Sequence, residues 1–143
     1  MNINVKVKDN SEETMAQIDE ALENAFISIG EAAETYAKLL CPVGTPESTG
    51  IPGYIGGTLR GSITYATHTQ HSSGQEPAGP DDYAERAVPD EKSVVIGTNV
   101  YYASYVEQGT SRMRKRPYLE PAMANHLQEY QSIFESYLNA ISD

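Results

Sequence analysis

The chain has 143 residues, enough for one domain with a modest core. Its formal net charge of −10 lacks the basic footprint of a free nucleic-acid binder, and no apolar run approaches the ~18 residues of a bilayer-spanning helix. The one cysteine, Cys41, permits no internal disulfide or cysteine-based zinc site, and the three histidines are too sparse to form a metal set.

The amino terminus shows no basic-then-apolar signal pattern, and a single cysteine fits a reducing compartment. Ile3, Val5 and Val7 alternate with polar residues and predict a short strand. Asp9, Asn10 and Ser11 then offer helix caps, with Glu12 and Glu13 suited to the positive end of the dipole. Met15, Ile18, Leu22, Ala25, Ile29, Ala32, Tyr36 and Leu39 make one apolar stripe. They predict a helix from about Ser11 to Leu40, ~45 Å long, which Pro42 ends. Gly30, with Ala25, Ala32 and Ala33 around it, is expected to let another helix approach closely. The polar face carries Asp19, Glu20, Glu23, Glu31 and Glu34 against Lys38 alone. It reads as a solvated face, with a partner or DNA facing it as the sharper alternative.

Residues 41–57 are rich in Gly and Pro and read as a loop. Leu59–His68 reads as a strand with Ile63 and Tyr65 on one face, and residues 69–91 as a long polar loop ordered only against a neighbour. Ser93–Gly97 reads as a buried strand. A short helix follows over Tyr101–Gln108, with Gly109 placed to end it in a left-handed conformation. The last helix is expected to begin at Pro121 and to carry Met123, Leu127, Tyr130, Phe134, Tyr137 and Ile141 as its stripe. The predicted fold is α+β, a single domain over 1–143: a small, mainly antiparallel sheet with two long helices packed on one face. Tyr supplies 10 residues against two Phe and no Trp, which suits half-buried positions and interfaces between subunits.

Few residues offer chemistry. Gly44–Gly50 superficially matches a phosphate loop but lacks the following Gly-Lys-Ser/Thr. Cys41 ends a helix and gains no activation from a dipole. Glu107 and Glu120 form a nominal carboxylate pair, and a small hydrolase using Glu107 is one hypothesis. Nothing in the sequence brings the two together. A structural Glu107 beside the Gly109 turn, pairing with Arg60 or Arg116 or accepting backbone donors, is the favoured reading. Arg112, Arg114, Lys115 and Arg116 hold four of the ten cations, which leaves 20 acidic residues against six basic ones elsewhere. Such a loop suits docking on the acidic face of the next copy. Phosphate contact with passing DNA is the rival, and a solvated loop the plain alternative. No catalytic residue, cofactor or metal is expected.

Three sequence elements occur in order. Gly57-Thr58-Leu59-Arg60-Gly61-Ser62-Ile63 comes first, then Tyr102-Ala103-Ser104-Tyr105-Val106-Glu107-Gln108-Gly109-Thr110, then Arg116-Pro117-Tyr118-Leu119-Glu120-Pro121-Ala122. Together they resemble the neck or minor-tail components of lambdoid-type long-tailed bacteriophages, whose patterns are TG-x-L-[RK]-x-SI, YA-x-YVE-x-GT and RPFL-x-PA. The first match is partial, with Gly57 at the spacer and Thr58 directly before Leu59. The third has Tyr118 in place of Phe. The resemblance marks Arg60, Glu107, Gly109, Pro117 and Pro121 as structural. It implies a virion protein at the head–tail junction, in the neck or a tail-completion ring, assembled in the bacterial host cytoplasm. The expected state is a homo-oligomeric ring, sixfold by preference with twelvefold as the alternative. Its expected partners are other neck proteins, portal-side proteins and tail-tube or terminator proteins. The genome would pass through the channel without sequence-specific binding, and no membrane is involved. A small acidic regulatory binding module outside the virion is the alternative.

Overall fold

The computed structural model describes residues 12–53, 55–73 and 88–142. The strand predicted over residues 3–7 and the middle of the long loop, 74–87, lie outside them. Eight elements follow in chain order: α1 (Glu12–Leu40), α2 (Pro46–Thr49), α3 (Thr58–Ser62), β1 (Thr64–Ala66), β2 (Val95–Gly97), α4 (Ala103–Gln108), α5 (Leu119–Ala124) and α6 (Leu127–Ser142). The strands pair antiparallel, with Tyr65 opposite Ile96, and the long helices α1 and α6 pack with this small sheet in an α+β arrangement.

α1 carries acids in its first turn and Lys38 in its last, both matched to the helix dipole. Its most buried line is Ala21, Ala25, Ile29, Ala33 and Ala37, repeating every four residues. Ile18, Leu22, Ala32 and Tyr36 from the predicted stripe are half-buried, while Met15 and Leu39 are exposed. α1 is clasped from two sides, so small side chains mark its line of closest approach and larger ones flank it. α6 runs antiparallel along it. The Tyr36 hydroxyl donates to Glu129 at 2.5 Å, and the Ser28 and Tyr137 hydroxyls bond at 2.7 Å. One core cluster lies between these helices, centred on Ile29, Tyr130, Phe134 and Leu138. A second gathers Ala37, Cys41, Leu59, Ile63, Val100, Tyr118 and Ala122 at the carboxyl end of α1.

Several sequence expectations change. The predicted strand over Leu59–His68 begins as helix α3, entered through Gly57 at φ 110° and closed by the Ile63 amide donating to the Arg60 carbonyl at 3.3 Å. Leu59 and Ile63 are four apart, a spacing that buries both on one helical turn as well as on one strand face. The loop after β1 starts as a tight turn. The Thr67 amide donates to the Gln70 carbonyl at 2.7 Å, and His71 bridges back to Ala66. β2 is shorter than Ser93–Gly97 and only half-buried, with Val95 exposed, because α1 packs chiefly against β1, whose Tyr65 ring lies on Gly30. The final helix starts at Leu119, and a break at Asn125–His126 separates α5 from α6. That break leaves Leu127 exposed and brings Leu138 into the core.

Gly30 admits the sheet instead of another helix. A Cβ there would lie 2.7 Å from Cδ2 of the Tyr65 ring. Gly30→Ala gains about 1 kcal/mol of helix propensity, but overpacking costs roughly 1–3 kcal/mol. The variant is expected to unfold at lower denaturant. The same change in a Tyr65→Val background is expected to be neutral or stabilising, a coupling that a double-mutant cycle measures.

The polar face of α1 is only partly free. Glu23 accepts hydroxyl bonds from Thr67 and from Thr69, the latter at 2.6 Å, and Glu34 accepts one from Ser72 at 2.5 Å. Burial pushes the Glu23 carboxyl up, but the Thr67 and Thr69 bonds prevail and hold it below its ordinary value of 4.5. A folded-state value below the unfolded one stabilises the fold above the unfolded value, and the contribution disappears as pH falls through the folded one. Glu23→Gln is therefore expected to lose some stability at neutral pH and to show a shallower acid limb in stability-versus-pH melts.

Candidate functional site

The sequence elements that carry the resemblance meet beyond the carboxyl end of α1. α4 ends at Gly109, whose amide donates to the Tyr105 carbonyl at 2.8 Å. Gly109 has φ 76° and ψ 175°, a region essentially restricted to glycine and not the left-handed helical one that the sequence reading expects. A Cβ at this position would sit 2.7 Å from the Lys115 nitrogen and 2.9 Å from the Met113 oxygen. The bare glycine thus lets the returning backbone lie against the end of the helix.

The segment 110–116 is a closed hairpin. The Thr110 amide donates to the Met113 carbonyl at 2.9 Å, the Met113 amide returns a bond at 3.4 Å, and the Arg116 amide donates to the Val106 carbonyl at 2.8 Å. Arg112, Arg114, Lys115 and Arg116 are all exposed on it, and none forms an ion pair with a described residue. Pro117 follows, half-buried. Tyr118 is fully buried, and its hydroxyl donates to the Ala103 carbonyl at 3.3 Å.

Glu107 joins the two sides. Its carboxylate accepts the backbone amides of Tyr118 at 2.6 Å, Leu119 at 3.1 Å and Glu120 at 2.8 Å. A helix leaves its first four N–H groups without internal partners. In α5 these belong to Tyr118, Leu119, Glu120 and residue 121, which is proline and has none. One remote carboxylate and one proline therefore settle the whole helix start, with charge opposite to the dipole end. At the other end, the Tyr130 hydroxyl donates to the Ala122 carbonyl at 2.5 Å.

Of the roles considered for Glu107, accepting backbone donors is the one this geometry displays. Neither Arg60 nor Arg116 lies within ion-pair distance of it. Both arginines still gather at the same end: burial pushes the Cys41 thiol up to about 11, with Arg60 and Arg116 pulling it down and Glu107 pushing it further up. Arg60 is exposed on α3. Pro121 is the third residue of α5 instead of its first. Glu120 meets Glu107 through its amide, not its carboxylate. A depression of about 520 Å³ beside them is lined by Glu107, Gln108, Lys115, Pro117, Leu119 and Glu120. Of the two acids that line it, Glu107 is already engaged by the backbone amides of Tyr118, Leu119 and Glu120. Among the described residues no three His, Cys, Asp or Glu side chains group as metal ligands, and no helix is long and apolar enough to cross a membrane.

No local pattern in the sequence links Glu107 to α5. One signal was present: Tyr118 is no capping residue, so the helix start needs its acceptor from elsewhere. Comparison with protein-family models, curated proteins and solved structures finds no match.

Removing Glu107 strands three amides at a half-buried helix start. Glu107→Ala is expected to cost about 1–3 kcal/mol in denaturant unfolding, and Glu107→Gln less, since one acceptor oxygen survives without its charge. Gly109→Val adds backbone strain and a backbone clash, roughly 3 kcal/mol or more. A Gly109→Val protein that melts like the parent would contradict this geometry.

Proposed function

We propose that the chain is a structural subunit of a long-tailed phage particle. One copy stands in a ring at the head–tail junction, in the neck or a tail-completion ring, and the genome passes through that ring. The observation that carries the reading is the interlocking of the elements behind the family resemblance. Glu107 of the second caps the helix of the third, and Leu59 and Ile63 of the first pack in one core with Ala103 of the second and Tyr118 and Ala122 of the third. Residues that serve as mutual scaffolding suit a part whose work is shape and docking. The net charge of −10 fits a channel wall that DNA slides past without adhering. Sixfold symmetry is preferred, with twelvefold on the portal side as the alternative. The neighbours in this reading are portal-side, tail-tube and terminator proteins.

The test is to delete the gene from the element that carries it and induce particles. The expected result is filled heads and separate tails that do not join into infectious particles, with complementation restoring them. Normal yields of infectious particles without the protein would contradict the proposal, as would finding the protein only in the soluble fraction when the parent is induced.

A further inference from the structure

We infer that the hairpin 110–116 docks head-to-tail on the outer face of α1 in a second copy of this chain. The inference deepens the ring reading and rests on it for the closure of the assembly.

The hairpin is a pre-organised cationic prong. Three backbone bonds close it, and Gly109 and the buried Tyr118 fix its two ends. Its four cations face solvent with no ion-pair partner among the described residues. The complementary surface lies along α1. Glu23 and Glu34 are taken by threonine and serine hydroxyls, whereas Glu12, Glu13, Asp19, Glu20 and Glu31 are exposed and form no ion pair with a described residue. Each patch carries an exposed apolar side chain: Tyr105 on α4 beside the hairpin, and Met15 between Glu12 and Asp19 on α1.

The two patches do not pair within one copy: no hairpin cation forms an ion pair with a described carboxylate of α1. The charge of Arg116 is felt at Cys41, just past the end of α1. Glu20 lies five to six turns back along that helix, roughly 30 Å at 1.5 Å per residue. Two different patches of one subunit make a heterologous contact, which propagates and closes into a ring when the rotation permits. A second copy fits better than a phosphate backbone, because the rest of the subunit is strongly acidic and repels DNA. The same repulsion becomes complementarity when the acidic face belongs to the next subunit.

Charge exchange tests this. One variant carries Arg112→Glu, Arg114→Glu and Lys115→Glu. The other carries Asp19→Lys, Glu20→Lys and Glu31→Lys. All six positions are exposed, and parent-like circular dichroism melts confirm that each variant is folded. Self-association is followed by sedimentation at low salt, for each protein alone and for the equimolar mixture. The parent is expected to associate, and to do so less as salt rises. Each variant alone is expected to associate roughly tenfold or more weakly, the combined effect of several modest surface pairs. The mixture is expected to recover parent-like association, since each reversed hairpin then meets a reversed helix. A monomeric parent at low salt, unchanged association of either variant, or a mixture that fails to recover would each overturn the inference. So would a hairpin variant that loses duplex DNA in a mobility-shift assay while it self-associates normally, which would assign the cations to phosphate. Failure here with the protein still present in particles overturns the interface alone. A protein absent from particles overturns the functional reading.

Discussion

The carboxylate of Glu107, seated on the first amides of α5, is the contact on which the organisation of this molecule turns. α5 is six residues long and begins at a tyrosine that cannot cap it. So short a helix is marginal without tertiary support. Glu107 supplies that support from the preceding helix, and Tyr130 supplies it at the opposite end from the following one. The position of α5 then sets two others. Tyr118 and Ala122 complete the core at the end of α1, and the chain enters α6 in register with the small residues of α1. Gly109 belongs to the same device, because only a residue without a side chain lets 113–115 return close enough to bring Pro117 and Tyr118 back to Glu107.

The rest of the core follows a related economy. Aliphatic residues are few, and tyrosines fill the volume with hydroxyls that find partners. Tyr118 and Tyr130 donate to carbonyls, and the Tyr65 hydroxyl accepts a bond from Gln70 at 2.8 Å. Among the described residues no buried side-chain nitrogen or oxygen lacks a partner. Gly30 and the alanines of α1 make room for these rings, so bulk on the sheet and α6 meets absence of bulk on α1. The hairpin cations and the exposed α1 carboxylates lie on the surface, without an ion-pair partner among the described residues.

Much of this was legible from residue patterns. The limits of α1 follow from its acidic first turn, its unbroken apolar period and Pro42, all local signals. The carboxyl end of α4 and the positive φ of Gly109 were equally readable, though the helix begins two residues later than Tyr101 and ψ 175° lies outside the left-handed helical region. The short elements were not. Leu59 and Ile63 satisfy strand and helix periodicity alike, and Gly57 with its positive φ tipped the segment into a helical turn. The stripe Met123–Ile141 looked continuous, because periodicity does not register a break when apolar residues happen to lie on both sides of it. Glu107 stands out in the sequence, but its partners lie eleven to thirteen residues away. Only the fold of the hairpin brings them together.

The central claim, that one carboxylate holds the start of α5 and through it the whole junction, is tested most directly by residue-resolved amide hydrogen exchange. The comparison is between the parent and Glu107→Gln at a pH where both are folded. The expected result is that the Tyr118, Leu119 and Glu120 amides are protected in the parent and exchange markedly faster in the variant, while amides in the middle of α1 keep their protection. Free exchange of those three amides in the parent, or equal protection in both proteins, would contradict the claim.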